Sequence, residues 1–282
     1  MSAETTSSLA RPTTRVGEGS ATTELARRVI PCLDVADGRV VKGVRFVDLE
    51  PLDDPPTAAA RYAEEGADEI VFLDVTAAPE ARRPGLALVS AVAERLLVPL
   101  TVGGGVRSAA DARDLLLAGA DKVALNSAAV ERPTTIGEIA SRFGSQCAVV
   151  SVDARRRASG GWEVVTHGGR RASGRDALGW IDEAVARGAG EILLTSIDRD
   201  GTGGGYDLDL LAAVVARVRV PVVASGGASS IDDFAAALAA GAAAVLAASV
   251  FHRGRLRVDD LKAALAGRGF PMRATAVGSE GR

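Results

Sequence analysis

Short apolar runs punctuate the chain at 28–35, 69–74, 99–102, 122–126, 147–153, 191–196, 220–225 and 244–248. Rich in Val, Ile and Leu and bounded by turn residues, they predict strands buried on both faces. Between them, alanine- and leucine-rich stretches with polar residues at helical spacing predict helices over 57–65, 86–96, 135–142, 176–187, 208–218 and 258–266. Strand and helix alternate along the whole length, the pattern of a parallel sheet with right-handed crossovers.

The pattern also repeats. Residues 102–127 read VGGGVRSAADARDLLLAGADKVALNS and residues 224–249 read ASGGASSIDDFAAALAAGAAAVLAAS. No gap is needed, and the offset is a constant 122 residues (104 to 226, 119 to 241, 127 to 249). The same offset relates GADEIVFLDV (66–75) to GAGEILLTSI (188–197). Each copy is a strand, a glycine turn, a helix opened by Ser, and a second strand. Two copies of a four-strand unit imply closure, so the expected fold is α/β, a (β/α)8 TIM barrel with two half-barrel repeats; an open doubly wound sheet is the alternative. The barrel is expected over 25–273. Residues 1–24, rich in Ser, Thr, Ala and Gly without periodicity, read as a disordered tail, and 274–282 as a C-terminal tail.

In such a barrel the chemistry sits at the C-terminal ends of the strands. Gly104-Gly105 and Gly226-Gly227 leave backbone N–H groups uncovered, a helix start adds partial positive charge, and Ser127 and Ser249 end the next strands with a hydroxyl. A single Gly-Gly pair merely permits a tight turn. Two in register point to a ligand with two phosphates, or to two related phosphate ligands. Asp34 ends the first strand and Asp153 the fifth, on opposite sides of the mouth, where a carboxylate at an apolar strand end can serve as general acid or base. The segment IDRDGTGGGYD adds Asp198, Asp200, Gly201 and Thr202 beside Thr195, as acceptors and hydroxyl donors or as plain turn chemistry. Lys42, after the tight Asp37-Gly38 turn in a long loop, could close over a phosphate.

The strand starts carry a second pattern. Arg28, Glu69, Lys122 and Glu191 each open a run that is otherwise apolar. Alternation puts Arg28 on one face with Cys32 and Asp34, Lys122 with Ala124 and Asn126, and Glu191 with Thr195, so that face is the lumen. Any one of these charges reads as a solvated strand start. Four on lumen parity predict a ring of two cations and two anions across the floor, with small residues leaving a narrow path above it.

Composition narrows the function. With 33 Lys and Arg against 36 Asp and Glu, a formal net charge of −3, there is no basic surplus for nucleic acid, so phosphate binding must be local. No run reaches the roughly 18 apolar residues of a membrane span, and the N-terminus lacks a signal-peptide core, so a cytoplasmic protein is expected. Cys32 and Cys147, inside apolar runs, read as buried thiols in a reducing compartment, and two histidines without ligand spacing give no metal site. No cofactor is implied.

Taken together, RRVIPCLDVADGRVVKG, TVGGGVRS, GADKVALNSAAV, FGSQCAVVSVDA, GAGEILLTSIDRDGTGGGYD, ASGGA and AASVFH closely resemble the cyclase subunits of imidazole glycerol phosphate synthase, over about 25–273. The resemblance implies a barrel that takes a phosphoribulosyl-formimino-aminoimidazole carboxamide ribotide, with a phosphate at each end, and adds ammonia supplied by a glutaminase partner in a heterodimer. Its products are imidazole glycerol phosphate and aminoimidazole carboxamide ribotide. It assigns the catalytic acid and base to Asp34 and Asp153, a mobile-loop lysine to Lys42, and phosphate contacts to Gly104, Gly105, Asn126, Ser127, Gly226, Gly227 and Ser249. It also makes Arg28, Glu69, Lys122 and Glu191 a charged gate for ammonia on the face where the glutaminase docks. Pro84-Gly85 departs from the family's more usual Thr-Met and leaves the following helix start open. The isomerase that acts one step earlier shares fold, aspartate pair and bisphosphate ligand, but its first strand reads closer to PAIDL; CLDV-ADGRVVKG favours the cyclase. A non-catalytic phosphate-binding scaffold is the reading from a different class.

Overall fold

The structure, a computed structural model, describes residues 25–44, 47–77 and 85–274, and of 42–44 and 47–52 the backbone alone. The expectations for the tail 1–24, for 275–282 and for Pro84 lie outside the described residues, as does the side chain of Lys42.

The strands in chain order are β1 (Arg28–Ala36), β2 (Arg39–Val44), β3 (Val47–Asp53), β4 (Ile70–Asp74), β5 (Leu100–Gly103) and β6 (Lys122–Leu125). They continue with β7 (Ala148–Arg156), β8 (Trp162–Thr166), β9 (Arg171–Asp176), β10 (Glu191–Ser196), β11 (Val222–Ser225) and β12 (Ala244–Ala247). The first helices are α1 (Pro55–Glu64), α2 (Leu86–Ala93), α3 (Ala109–Leu117), α4 (Ser127–Glu131) and α5 (Thr134–Phe143). The others are α6 (Ala177–Ala186), α7 (Leu208–Val215), α8 (Ile231–Ala239), α9 (Ser249–His252) and α10 (Val258–Gly267).

Eight of the strands pair in parallel in the order β1, β4, β5, β6, β7, β10, β11, β12, and β12 pairs with β1 to close the ring. This is a closed (β/α)8 barrel, and the open-sheet alternative falls. The two strands that begin the halves, β1 and β7, both run on past the ring into antiparallel extensions, β2 and β3 on one and β8 and β9 on the other. The first of these, expected as a loop, is therefore a strand pair. Its turn is Asp37 and Gly38, with φ of 50° and 75°, the two positive values that a two-residue hairpin turn requires.

Alternation along the strands divides the core. Val29, Leu33, Ile70, Phe72 and Leu125 point outward into a continuous apolar layer under the helices, with Trp180 and Phe234 among its largest buried members. Ile30, Cys32, Val71, Ala124, Val149, Leu193 and Val223 point inward and fill the lumen. The floor of the first half is tied to the last helix by a buried ion pair: Lys262 Nζ lies 2.7 Å from Asp68 Oδ1, and Asp68 Oδ2 accepts the Val29 N–H at 2.9 Å. Both charges are thus hydrogen-bonded, the condition under which burial is tolerable.

The repeat extends to helix caps. Ser108 accepts the Asp111 N–H at the start of α3, and Ser230, at the same offset, accepts the Asp233 N–H at the start of α8 in a reciprocal capping box. Gly119 and Gly241 close those helices with φ of 106° and 98°. Three expectations need correction. Ser127 and Ser249 do not end strands: each is the first residue of a short helix, α4 or α9, because the backbone turns at Asn126 and Ala248. Glu69 stands just before β4 instead of within it. Cys147 closes a 3-10 turn and is half-buried, because β7 starts only at Ala148 and leaves it outside the sheet; Cys32 is buried as expected.

Candidate functional site

The strand order fixes the geometry of the mouth. Asp34 on β1 and Asp153 on β7 stand diametrically opposite, and the turns after β5 and β6 face those after β11 and β12 across the other diameter. A single cavity of about 280 Å³ joins all four positions, lined by Asp34, Asp153, Gly104, Ser127, Gly226 and Ser249 among others. Asn126, Thr195, Asp200, Gly105, Gly201 and Gly227 also line it.

The two aspartates are both buried, but their surroundings differ. The Cys32 thiol donates to Asp34 Oδ1 at 3.5 Å from two residues back along β1. Asn126 Nδ2 donates to Asp153 Oδ2 at 2.8 Å, and its Oδ1 is buried with no hydrogen-bond partner among the described residues. Burial pushes the Asp153 carboxyl up to about 7; the Asn126 hydrogen bond opposes the rise, while the charges of Asp200 and Asp34 add to it. Thr195 stands beside Asp153 in the register of β10 on β7. A carboxyl poised near neutrality can give a proton and take it back within one catalytic cycle.

The glycine pairs bring backbone to backbone. Gly104 has φ of 95°, and a Cβ there would lie 2.2 Å from the Asp74 carbonyl oxygen. At Gly226 the same atom would lie 2.8 Å from the Ser196 carbonyl oxygen, and at Gly227 2.3 Å from that of Gly205. Packing against the preceding strand end, and at Gly227 against the loop that follows β10, therefore requires glycine, and the bare backbone this leaves at the rim is what an anion would meet.

Some candidates do not reach the cavity. Asp198 Oδ2 accepts the Arg156 backbone N–H at 2.7 Å and braces the base of the β7–β8 extension. Thr202 donates to the Arg199 carbonyl at 2.7 Å and accepts the Gly204 N–H, which is turn chemistry. Conversely, Arg107, Glu131 and His167 line the cavity and carried no signal in the apolar pattern, since all three belong to turns or helix ends. His167 arrives from the tip of the β8–β9 hairpin, where its backbone N–H donates to Ser127 Oγ at 2.9 Å.

On the opposite face, the four strand-start charges meet. Glu69 Oε2 lies 2.7 Å from Arg28 Nη1 and 2.8 Å from Lys122 Nζ; Glu191 Oε2 lies 2.8 Å from Lys122 Nζ, and Glu191 Oε1 accepts a short hydrogen bond from Arg28 Nη2. Thr101 adds a donor to Glu69 Oε1 at 2.6 Å. Burial alone would push the Glu191 carboxyl up. The hydrogen bond and charge of Arg28, with Lys122 behind, outweigh it and hold the carboxyl below its ordinary range. The lumen above the ring is not lined by small residues alone: Ile30, Val71, Val149 and Leu193 stand between it and Asp34 alongside Cys32 and Ala124. Among the described residues no helix is long and apolar enough to cross a membrane, and no group of three His, Cys, Asp or Glu side chains is placed to hold a metal ion.

Residues 28–257 match the family described as histidine biosynthesis protein. The chain is 59% identical over 251 residues to the imidazole glycerol phosphate synthase subunit HisF of Gluconacetobacter diazotrophicus, covering 89% of this chain and 97% of that one. It is 56% identical over 254 residues to the subunit of the same name from Beutenbergia cavernae, covering 88% and 99%. The corresponding subunit of Streptomyces avermitilis is 57% identical over 249 residues, again covering 88% and 99%.

Proposed function

The chain belongs to the histidine biosynthesis protein family, and from that premise we infer that it is the cyclase subunit of imidazole glycerol phosphate synthase, an enzyme of histidine biosynthesis. It takes phosphoribulosyl-formimino-aminoimidazole carboxamide ribotide and ammonia to imidazole glycerol phosphate and aminoimidazole carboxamide ribotide. The balance of substrates and products sets the demand on the site. The ammonia nitrogen forms bonds to the keto and formimino carbons, the bond to the departing aminoimidazole breaks, and the keto oxygen leaves as water.

Each of those changes needs a proton given or taken. Asp153 is the donor in this reading, since burial poises its carboxyl near neutrality, and Asp34 takes protons across the mouth. The Gly104–Ser127 and Gly226–Ser249 pairs hold the two phosphates, so the substrate spans one diameter while the carboxyl groups reach it from the other. That opposed arrangement in one cavity is the observation that carries the proposal. Lys42 closes over the ligand from the β2–β3 extension.

The relatives are named as subunits, and this chain works likewise as one subunit of a complex. Its partner is a glutaminase docked on the strand-start face, with Arg28, Glu69, Lys122 and Glu191 as the gate through which ammonia passes. Leu25, Leu97 and Leu117 support that face as the docking surface. They are exposed by 87%, 103% and 73% and lie close in sequence to the starts of β1, β5 and β6. The test is an assay of the purified chain with the nucleotide and ammonium salt, then with glutamine and a glutaminase subunit. Product in both is expected, and a chain that binds the nucleotide without turning it over would sustain the scaffold reading instead.

A further inference from the structure

The two cradles are copies of one another, but the substrate's two ends are not. A ligand with a different group behind each phosphate must lie one way round between Asp34 and Asp153, so something has to break the twofold relation of the site. The glycines and hydroxyls do not, because Gly104, Gly105 and Ser127 map onto Gly226, Gly227 and Ser249 at the common offset. What differs is charge and cover. Arg107 and Glu131 line the first cradle, and at their offset positions the second half carries Ser229 and Arg253, neither of which lines the cavity.

The β8–β9 hairpin, furthermore, brings its tip to the first cradle, where His167 donates its backbone N–H to Ser127 Oγ at 2.9 Å. His167 sits at φ 55°, followed by Gly168 and Gly169 at 64° and 77°. A glycine would meet the needs of this turn without the steric penalty a β-carbon brings in the left-handed region. The position therefore keeps its side chain against the local preference of the backbone. That side chain lines the cavity, with Nδ1 at 3.1 Å from Thr166 Oγ1 and Nε2 at 3.9 Å from Glu131 Oε1. The charged groups on the same wall are Glu131 on α4 and Arg107 after β5.

Resting on the cyclase reading of this cavity, we propose that His167 is a specificity-determining residue. Its ring is held at Nδ1 by Thr166, and Nε2, which at 3.9 Å is outside hydrogen-bond reach of Glu131, donates an N–H to the phosphate seated against Ser127; this makes the first cradle the tighter of the two and fixes the direction in which the substrate lies.

The complete chain holds two histidines, His167 and His252, so their ring-proton signals in a nuclear magnetic resonance spectrum are assigned by replacing one. His167→Gly keeps the backbone donor and suits the left-handed turn, and His167→Asn is a second variant that tolerates the same conformation. At fixed pH, titration with inorganic phosphate is expected to move the His167 signal to saturation and leave that of His252 in place. In the ammonium-driven reaction both variants are expected to raise KM for the nucleotide about tenfold and to lower kcat as the reversed, unproductive pose becomes populated. A His167 signal unmoved by phosphate, or a wild-type KM in both variants, would overturn the proposal. Absence of turnover in the wild-type chain would instead count against the cyclase reading, and the phosphate titration would still decide the role of His167.

Discussion

At the residue scale, the most consequential contrast is between two aspartates that look alike in the sequence. Both sit near the far end of a largely apolar strand, Asp34 two residues before the end of β1 and Asp153 three before the end of β7, and the Asp153 carboxyl is lifted to about 7 by burial with Asp200 and Asp34 nearby. Replacing it with Asn should lower turnover by roughly a hundred- to ten-thousand-fold, with binding of the nucleotide retained, as measured by steady-state kinetics and calorimetry. Stability should move the other way. Because the folded carboxyl binds its proton more tightly than the ordinary value of 3.8, the folded state holds the extra proton between about pH 4 and 7, and wild-type stability falls as pH rises through that window. Asp153→Asn removes this dependence, so the variant should gain on wild type in denaturant titrations from pH 4 to pH 7 and keep a constant lead of at most a few kcal/mol above it. Full activity at pH 7 would dismiss the assignment. Asp34 and Asp153 were legible because alternation and strand ends are written in the apolar pattern. Asp198, Asp200 and Thr202 were not separable, since a glycine-rich loop has no period from which to tell which side chain turns inward.

At the scale of elements, the half-barrel repeat was legible in detail, down to the Ser caps of α3 and α8. The short helices after Asn126 and Ala248 were not, because α4 and α9 span five and four residues, too few for a helical period to register. The β2–β3 pair was hidden for a different reason: it extends β1 beyond the barrel, and its successive residues Val40 and Val41 are both buried, so the run does not alternate. The glycine turns allow a test of which constraint matters. Gly104→Ala meets both a left-handed φ and the Asp74 carbonyl at 2.2 Å, and should cost about 2–4 kcal/mol in a denaturant titration. Gly38→Ala has φ of 75° but nothing within 4 Å, and should cost about 1 kcal/mol. Equal losses would show that conformation alone, not the approach of the preceding strand, reserves these positions for glycine.

For the whole molecule, the lumen separates the cavity at the mouth from the charged ring on the floor, where the proposed gate can be tested. Lys122→Ala leaves Arg28 in contact with both Glu69 and Glu191, one positive charge against two negative. It should preserve the fold, checked by circular dichroism, and the ammonium-driven rate, while the glutamine-driven rate with a glutaminase subunit drops several-fold. Equal effects on both rates, or none on either, would remove the gate from the account. The same ring records how far the duplicated halves have diverged. Glu69 and Glu191 are counterparts at the common offset, but the counterpart of Lys122 is Ala244, and the position that answers to Arg28, as far before Asp153 as Arg28 is before Asp34, is Cys147 just ahead of β7. The first half thus brings two positive charges and one negative to the floor, and the second half one negative. A chimeric barrel made from two first halves would concentrate unbalanced positive charge there, and one made from two second halves would face carboxylates against each other with no counterion. Neither half is a spare for the other: neutrality at the floor belongs to the pair, and it would have to be redesigned before either could be doubled.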